Sequence, residues 1–204
     1  MLNSMSRSRR FRTPASGPTC GSTREGSRTP IELGLEGLVD DYLRNYAEAH
    51  GEELAWYRTM PLPEAVRVAA LSCTSKGKRH PHQRRLALEA LMAGARILAA
   101  IPVQRVSSFD DLHTLVAVVS RQVPGLGPVW TYDVAQRIGA KLGLEPERVY
   151  VHAGTAVGAV NLGLGDRETL EVKDLPRKLR RLRPWQVEDF LCIYADQIAG
   201  LYDQ

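Results

Sequence analysis

Two glycines separated by a single residue, Gly125 and Gly127, stand between two stretches whose apolar residues recur at helical spacing. Glycine adopts positive φ without strain and leaves no Cβ between the backbone and a neighbouring group. We expect a tight turn followed by a helix whose first N–H groups point outward, where the helix dipole also favours an anion. A phosphate oxygen suits this position, and such a contact reads no base edge. The simpler alternative is an ordinary tight connection between two helices.

The segment 75–85, which we term the basic loop, carries five basic residues, two histidines and no acidic residue. We expect it to run into the first turn of a helix that extends from about His82 to Ala100. Cations at that end of a helix oppose its dipole, and an unfavourable placement of this kind often indicates a functional site. A merely solvated loop is the alternative. The candidate phosphate contacts are Lys76, Lys78, Arg79, His82, Arg84 and Arg85.

A second group of cations, between residues 173 and 183, lies just before the last predicted helix. On a short helix, Arg177, Arg180 and Arg181 share one face while the leucines of the same segment pack inward. These three arginines are candidate contacts to a second stretch of backbone. A solvated basic face is the alternative.

Three residues are candidates for catalysis. His152 has an imidazole, whose usual pKa lies near neutrality and suits a general base. A capping or core histidine is the alternative. Asp133 and Glu188 stand early in predicted helices, where a carboxylate also suits the helix dipole, and each is a candidate catalytic carboxylate.

The residue types predict neither a metal nor a cofactor. His80 and His82 lie two residues apart without a cysteine or a nearby carboxylate, whereas zinc takes about four ligands in a defined arrangement. Cys20, Cys73 and Cys192 are far apart and lack CxxC spacing, which argues against a disulfide framework and a cysteine-rich zinc site.

The segment 108–142 resembles the helix-hairpin-helix family, whose core pattern is a small apolar residue, Gly-apolar-Gly, and then an alanine on the following helix. Pro124, the run 125–127 and Ala135 supply those positions. A looser resemblance to the helix-hairpin-helix DNA glycosylases covers about residues 110–164 and puts His152 near the place of that family's catalytic aspartate. The resemblance implies a DNA-glycosylase-like helical domain, a DNA partner bound through its phosphates, and a role in DNA repair.

The chain departs from the glycosylase pattern at the residues that do its chemistry. Pro128 and Val129 stand where bifunctional members carry a lysine nucleophile, and His152 replaces the aspartate. The chain also lacks a four-cysteine iron–sulfur loop. The glycosylase mechanism is therefore not carried over.

Composition divides the chain into a basic tail and a nearly neutral remainder. Residues 1–30 contain six arginines and one glutamate, which leaves 21 basic and 22 acidic residues in 31–204. The tail has almost no large apolar residues, so we expect it to be disordered, either as a backbone-binding arm or as an extension without a role. Without a membrane-length apolar run or a secretory signal, the sequence predicts a cytoplasmic protein.

Helical spacing of apolar residues predicts an all-α domain over 31–204 with a central helix-hairpin-helix. Arg148–His152 has strand-like content, but it is too short and isolated to predict a sheet. The predicted helices cover a first segment from about Leu35 that Gly51 ends, Glu64–Cys73, about His82–Ala100, the two hairpin helices with an N-cap at Ser107 or Ser108, and Pro184 to about Tyr202.

Three hypotheses about function follow. The first is a DNA-binding protein that holds the phosphate backbone without sequence preference. The second is a divergent DNA glycosylase or other nucleic-acid-processing enzyme that uses His152. The third is an interaction module whose hairpin packs on a partner protein. The sequence leaves the oligomeric state open.

Overall fold

The computed structural model describes residues 34–201, so the predicted disordered tail 1–30 lies outside the described residues. The described part is mostly helical, which confirms the all-α class. Its elements in chain order are α1 (Leu35–Asn45), α2 (Ala47–Thr59), α3 (Leu62–Ala70), α4 (Leu88–Ala99), α5 (Phe109–Gln122), α6 (Pro128–Leu142), β1 (Val149–Tyr150), α7 (Ala153–Asn161), β2 (Thr169–Leu170), α8 (Pro184–Ile193) and α9 (Ala195–Ala199).

The apolar residues form two cores. The first core is formed by helices α2 through α6. Trp130 in this core is 1% exposed and donates its indole N–H to the carbonyl of Ala70 at 3.1 Å. The second core is formed by α1, the strands β1 and β2, and helices α7, α8 and α9. In it α7 and α8 approach so closely that a Cβ on Gly158 would lie 2.2 Å from the carbonyl oxygen of Leu191. No described helix is long and apolar enough to cross a membrane.

Two expectations about secondary structure after the hairpin are wrong. The strand-like segment does pair, because Val149 and Tyr150 meet Leu170 and Thr169 in a two-residue antiparallel ladder. The leucines of the second basic group are buried as expected, but the segment forms the 3-10 turns Val172–Asp174 and Leu179–Arg181 in place of a helix. The partner strand β2 comes from a separate part of the chain, and its own residues give no local signal of a strand.

Three helix boundaries also differ from the prediction. The first helix breaks at Tyr46, and Gly51 lies inside α2, where burial of Leu54 and Tyr57 outweighs the cost of a glycine. The basic loop contains only a 3-10 turn, Pro81–Gln83, before α4 begins. Arg84 and Arg85 therefore precede α4 and do not belong to its first turn. The last helix is interrupted at Tyr194, between α8 and α9.

Candidate functional site

The hairpin turn, residues 123–127, connects α5 to α6. Ser108 caps α5 as expected, with its Oγ accepting from the N–H of Asp111 at 3.1 Å. Gly125 has a φ of +91°, a backbone conformation in which a residue with a side chain would be strained. Gly127 has an extended φ of −131°, and a Cβ there would meet nothing within 4 Å. Neither the backbone nor the packing of the protein therefore requires glycine at position 127.

The start of α6 is open to solvent on its outer side. Gly127 is the N-cap of α6, no side chain caps this helix, and Pro128 fills its first position. Gly125 is exposed and Gly127 is half-buried. The two hairpin helices are tied together by Thr131, whose hydroxyl lies 2.9 Å from the hydroxyl of Ser120. A fixed turn thus presents the positive end of a helix.

A cleft of about 480 Å³ lies between the two cores. Its first wall comes from α2, from residues 80–82 of the basic loop and from α6. Its second wall comes from residues 152–154 and from α8. All three catalytic candidates, Asp133, His152 and Glu188, line this cleft together with His82. The structure thus brings together residues that the sequence singled out separately.

A triangle of hydrogen bonds attaches the basic loop to α6. Gln83, which is 1% exposed, donates to Asp133 Oδ2 at 2.7 Å and accepts from Arg137 at 3.0 Å. Arg137 also donates to the same carboxylate at 2.9 Å. Asp133 is thus a structural partner of a buried guanidinium as well as a residue of the cleft wall. The triangle fixes His82 beside the helix that begins at the hairpin turn.

His152 and Glu188 form a neighbouring pair on the other wall. His152 precedes α7 as its N-cap but makes no side-chain capping bond. Its Nε2 lies 3.4 Å from Glu188 Oε1 without hydrogen-bond alignment, while Thr155 donates to that oxygen at 2.7 Å. Burial lowers the pKa of His152 and raises the pKa of Glu188 well above its usual value. Burial therefore disfavours the charged form of both groups, and proximity to a helix N-terminus alone does not explain the position of Glu188.

A second histidine–carboxylate pair was missed at the sequence level. His50 Nδ1 lies 3.1 Å from Asp189 Oδ2, which also accepts from the hydroxyl of Tyr42 at 3.0 Å. Burial lowers the pKa of His50, but the hydrogen bond and the charge of Asp189 outweigh it and raise that pKa. The available signal was helical spacing, because His50 falls on the same face of α2 as the buried Leu54 and Tyr57.

His80 is a third histidine of the cleft. Its Nε2 lies 3.3 Å from the hydroxyl of Tyr57 and 3.7 Å from Glu53 Oε1. Burial, followed by the positive charge of Arg137, lowers the pKa of His80 to about 3. His80 is therefore neutral at physiological pH and positions the basic loop against α2. No group of three or more His, Cys, Asp or Glu side chains within residues 34–201 is arranged to hold a metal ion.

The two basic segments differ in how their charges are used. Lys76, Lys78, Arg84 and Arg85 are exposed, and none of them forms an ion pair with another described residue. Arg79 instead donates to the carbonyl of Leu86 at 2.8 Å.

In the second segment most cations have partners. Arg181 pairs with Asp40 at 2.9 Å, and Arg180 donates to the carbonyls of Lys173 and Leu175. Arg177 is exposed. The cations of the second segment thus bond mainly within their own loop and to α1. The exposed cations of the basic loop form no ion pair within residues 34–201.

A groove of about 580 Å³ runs on the other side of His152. It extends from the hairpin turn, past Arg121, to the two-stranded ladder, and His152 lines both the groove and the cleft. Its charges are balanced, since Arg148 pairs with Asp110 at 2.7 Å. The groove therefore connects the turn with the cleft, and its lining residues add no net charge.

No protein-family model, curated protein or solved structure shows a significant match to this chain. The arrangement itself offers two kinds of chemistry. The turn and the basic loop present donors and positive charge to an anion. The cleft presents neutral and charged acid–base groups in a partly enclosed volume.

Proposed function

We propose that this protein binds DNA through its phosphate backbone and receives one base in the cleft. The observation that carries the proposal is the course of α6. α6 begins directly after the exposed hairpin turn, and Val129 and Asp133 on this helix line the cleft. A backbone held at the turn therefore lies beside a cavity whose volume falls within the range of about 300–1,000 Å³ typical of ligand pockets.

The free space at Gly127 supports a close approach of a phosphate. A Cβ at this position would touch none of residues 34–201, so the absence of a side chain serves no contact within them. A phosphate at the start of α6 accepts from backbone N–H groups and is attracted by the helix dipole. Contacts of this kind position a nucleic acid without reading its sequence.

The unpaired cations of the basic loop supply the attraction. Gln83 fixes this loop to α6, so Arg84 and Arg85 follow directly after a residue anchored beside the cleft. Each phosphate neutralised by a cation releases counterions. The logarithm of the binding constant therefore falls by roughly 0.9 per contact for each tenfold increase in salt concentration. The near-neutral charge of residues 31–204 confines this attraction to the basic loop and the turn.

The test is a salt titration of binding to a fluorescent DNA duplex, measured by anisotropy between about 50 and 200 mM salt. Replacing both Arg84 and Arg85 by glutamine is expected to weaken binding and to reduce the salt slope by about 2. Arg181→Gln is the matched control, because Arg181 is already paired with Asp40, and its slope is expected to stay near the wild-type value. Absence of binding at low salt, or an affinity independent of salt, would refute the proposal.

Gly127→Ala provides an independent arm of the same test. The unfolding free energy is expected to fall by about 1 kcal/mol, because alanine is a poorer N-cap than glycine. DNA affinity is expected to fall several-fold, since the methyl group occupies the space next to the phosphate. A variant that binds DNA as tightly as the wild type would remove Gly127 from the binding site.

A second candidate function is hydrolysis of the bond between a base and its sugar. The proximity of His152 to Glu188 in the cleft favours it, because burial disfavours the charged form of each group. In this reaction water adds to C1′ as the C1′–N bond breaks, His152 takes the proton of the water, and Glu188 donates a proton to the departing base.

Incubation with duplexes that contain damaged bases or abasic sites tests this candidate. His152→Ala is expected to abolish product formation, while binding to an undamaged duplex persists. Unchanged activity in His152→Ala would remove this residue from the mechanism.

A further inference from the structure

Gln136 presents a buried hydrogen-bond donor that the protein leaves unused. Gln136 lies on α6, lines the cleft and is only 7% exposed. Its side-chain nitrogen has no hydrogen-bond partner among the described residues. Buried polar groups of proteins are nearly always paired, and an unpaired one in a cavity wall points to a missing ligand atom.

The orientation of the Gln136 amide follows from its neighbour His50. One nitrogen of His50 bonds to Asp189 at 3.1 Å, and the side chain of Gln136 hydrogen-bonds to the same imidazole in a way that favours its charged form. A side-chain contact raises the pKa of an imidazole when it accepts from one of the ring N–H groups. Gln136 therefore offers its oxygen to His50, and its N–H₂ group remains for the cleft.

His152 presents the complementary group, a free acceptor. Its Nε2 has no hydrogen-bond partner in residues 34–201, and the nearby Glu188 oxygen is not aligned with it. The other ring nitrogen bonds to the residue's own carbonyl and so carries the proton of the neutral ring. Nε2 is then an acceptor. The His152 ring lies 5.0 Å from the ring of Tyr132, which is one helical turn before Gln136 on α6.

We infer that the cleft recognises the lactam edge of a nucleobase, with Gln136 donating to the ring carbonyl oxygen and His152 Nε2 accepting from the adjacent ring N–H. Uracil, thymine, guanine and hypoxanthine carry this edge. Adenine and cytosine offer an amino group and an unprotonated ring nitrogen in its place. The inference rests on the proposed function, because it requires a base in the cleft.

The experiment compares three short DNA duplexes of otherwise identical sequence by anisotropy at low salt. One is fully paired, one contains a central G·U mismatch, and one contains N3-methyluracil in place of that uracil. The methyl group removes the ring N–H and keeps both carbonyls. We expect the G·U duplex to bind on the order of tenfold more tightly than the N3-methyluracil duplex, because the latter leaves His152 unpaired. N3-methyluracil also pairs poorly and is easily extruded, so a preference for any loosened base predicts the opposite order.

Gln136→Leu is expected to weaken binding to the G·U duplex by roughly three- to tenfold and to leave the fully paired duplex unaffected, because it removes one hydrogen bond. If this variant fails to fold, the comparison of duplexes with the wild-type protein still decides the matter. Binding of the paired duplex with equal affinity for the two uracil duplexes would overturn the inference and leave backbone binding intact. Failure to bind any duplex would overturn the proposed function itself.

Discussion

Replacement of Glu188 by glutamine tests whether the cleft holds a neutral carboxylic acid. Burial raises the pKa of Glu188 well above its ordinary value of 4.5, so the folded protein keeps a proton that the unfolded chain loses as pH rises. The folded state then binds more protons than the unfolded state, and the stability of the wild type falls as pH rises above the unfolded pKa. The slope is about 1.4 kcal/mol per pH unit up to the folded pKa.

Glu188→Gln removes this slope while keeping the shape of the side chain and its contact with Thr155. Between about pH 5.5 and 7, the variant is expected to gain stability relative to the wild type, by up to about 1.4 kcal/mol or roughly 3–6 °C in Tm per pH unit. Thermal unfolding followed by circular dichroism at both pH values measures the difference. Glu147→Gln, at an exposed glutamate, is the control and is expected to differ from the wild type equally at both pH values. A constant difference for Glu188→Gln, or a loss that grows with pH, would refute a protonated Glu188.

Three further substitutions test the packing that positions the cleft, each by urea denaturation. Gln83→Leu leaves Arg137 and Asp133 each without one bond and is expected to cost about 1–3 kcal/mol; unchanged stability would argue against the triangle. Gly158→Ala pushes a methyl group onto the α8 backbone and is expected to cost more than Gly125→Ala, which adds roughly 1–2 kcal/mol of backbone strain; the reverse order would contradict the α7–α8 contact. Tyr132→Phe removes a buried hydroxyl that has no partner within residues 34–201 and is expected to leave stability unchanged or raised, whereas a loss above about 1 kcal/mol would reveal an unrecognised hydrogen bond.

The features of the hairpin were predictable because they are local. Helical spacing and the Ser108 cap define α5, and Gly125 with Gly127 and Pro128 marks the turn before α6. Each of these signals acts within a few residues. The same reasoning failed for the basic loop, where the buried side chain of Gln83 binds α6 and holds a 3-10 turn in place of the first turn of a helix.

The cleft was predictable only in parts, because tertiary packing creates it. Asp133 and Arg137 have the spacing of an ordinary surface pair on a helix, yet Arg137 is 5% exposed. His50 and Gln136 carry no signal of chemistry in the sequence. They become notable because α2, α6 and α8 meet, which depends on contacts between residues up to 139 positions apart.

Unfavourable features in the cleft wall argue for a ligand there. Gln136 and His152 each contain a buried polar atom without a partner among the described residues. Ala153, in the cleft wall, has a positive φ of 38°, which a non-glycine residue rarely adopts. Strain and unsatisfied donors persist where the surrounding fold holds them, and they are typical of functional sites. If these groups served only the fold, an apolar replacement of Gln136 would change stability and leave DNA binding unchanged. If they bind a base, the same replacement also weakens binding to the G·U duplex.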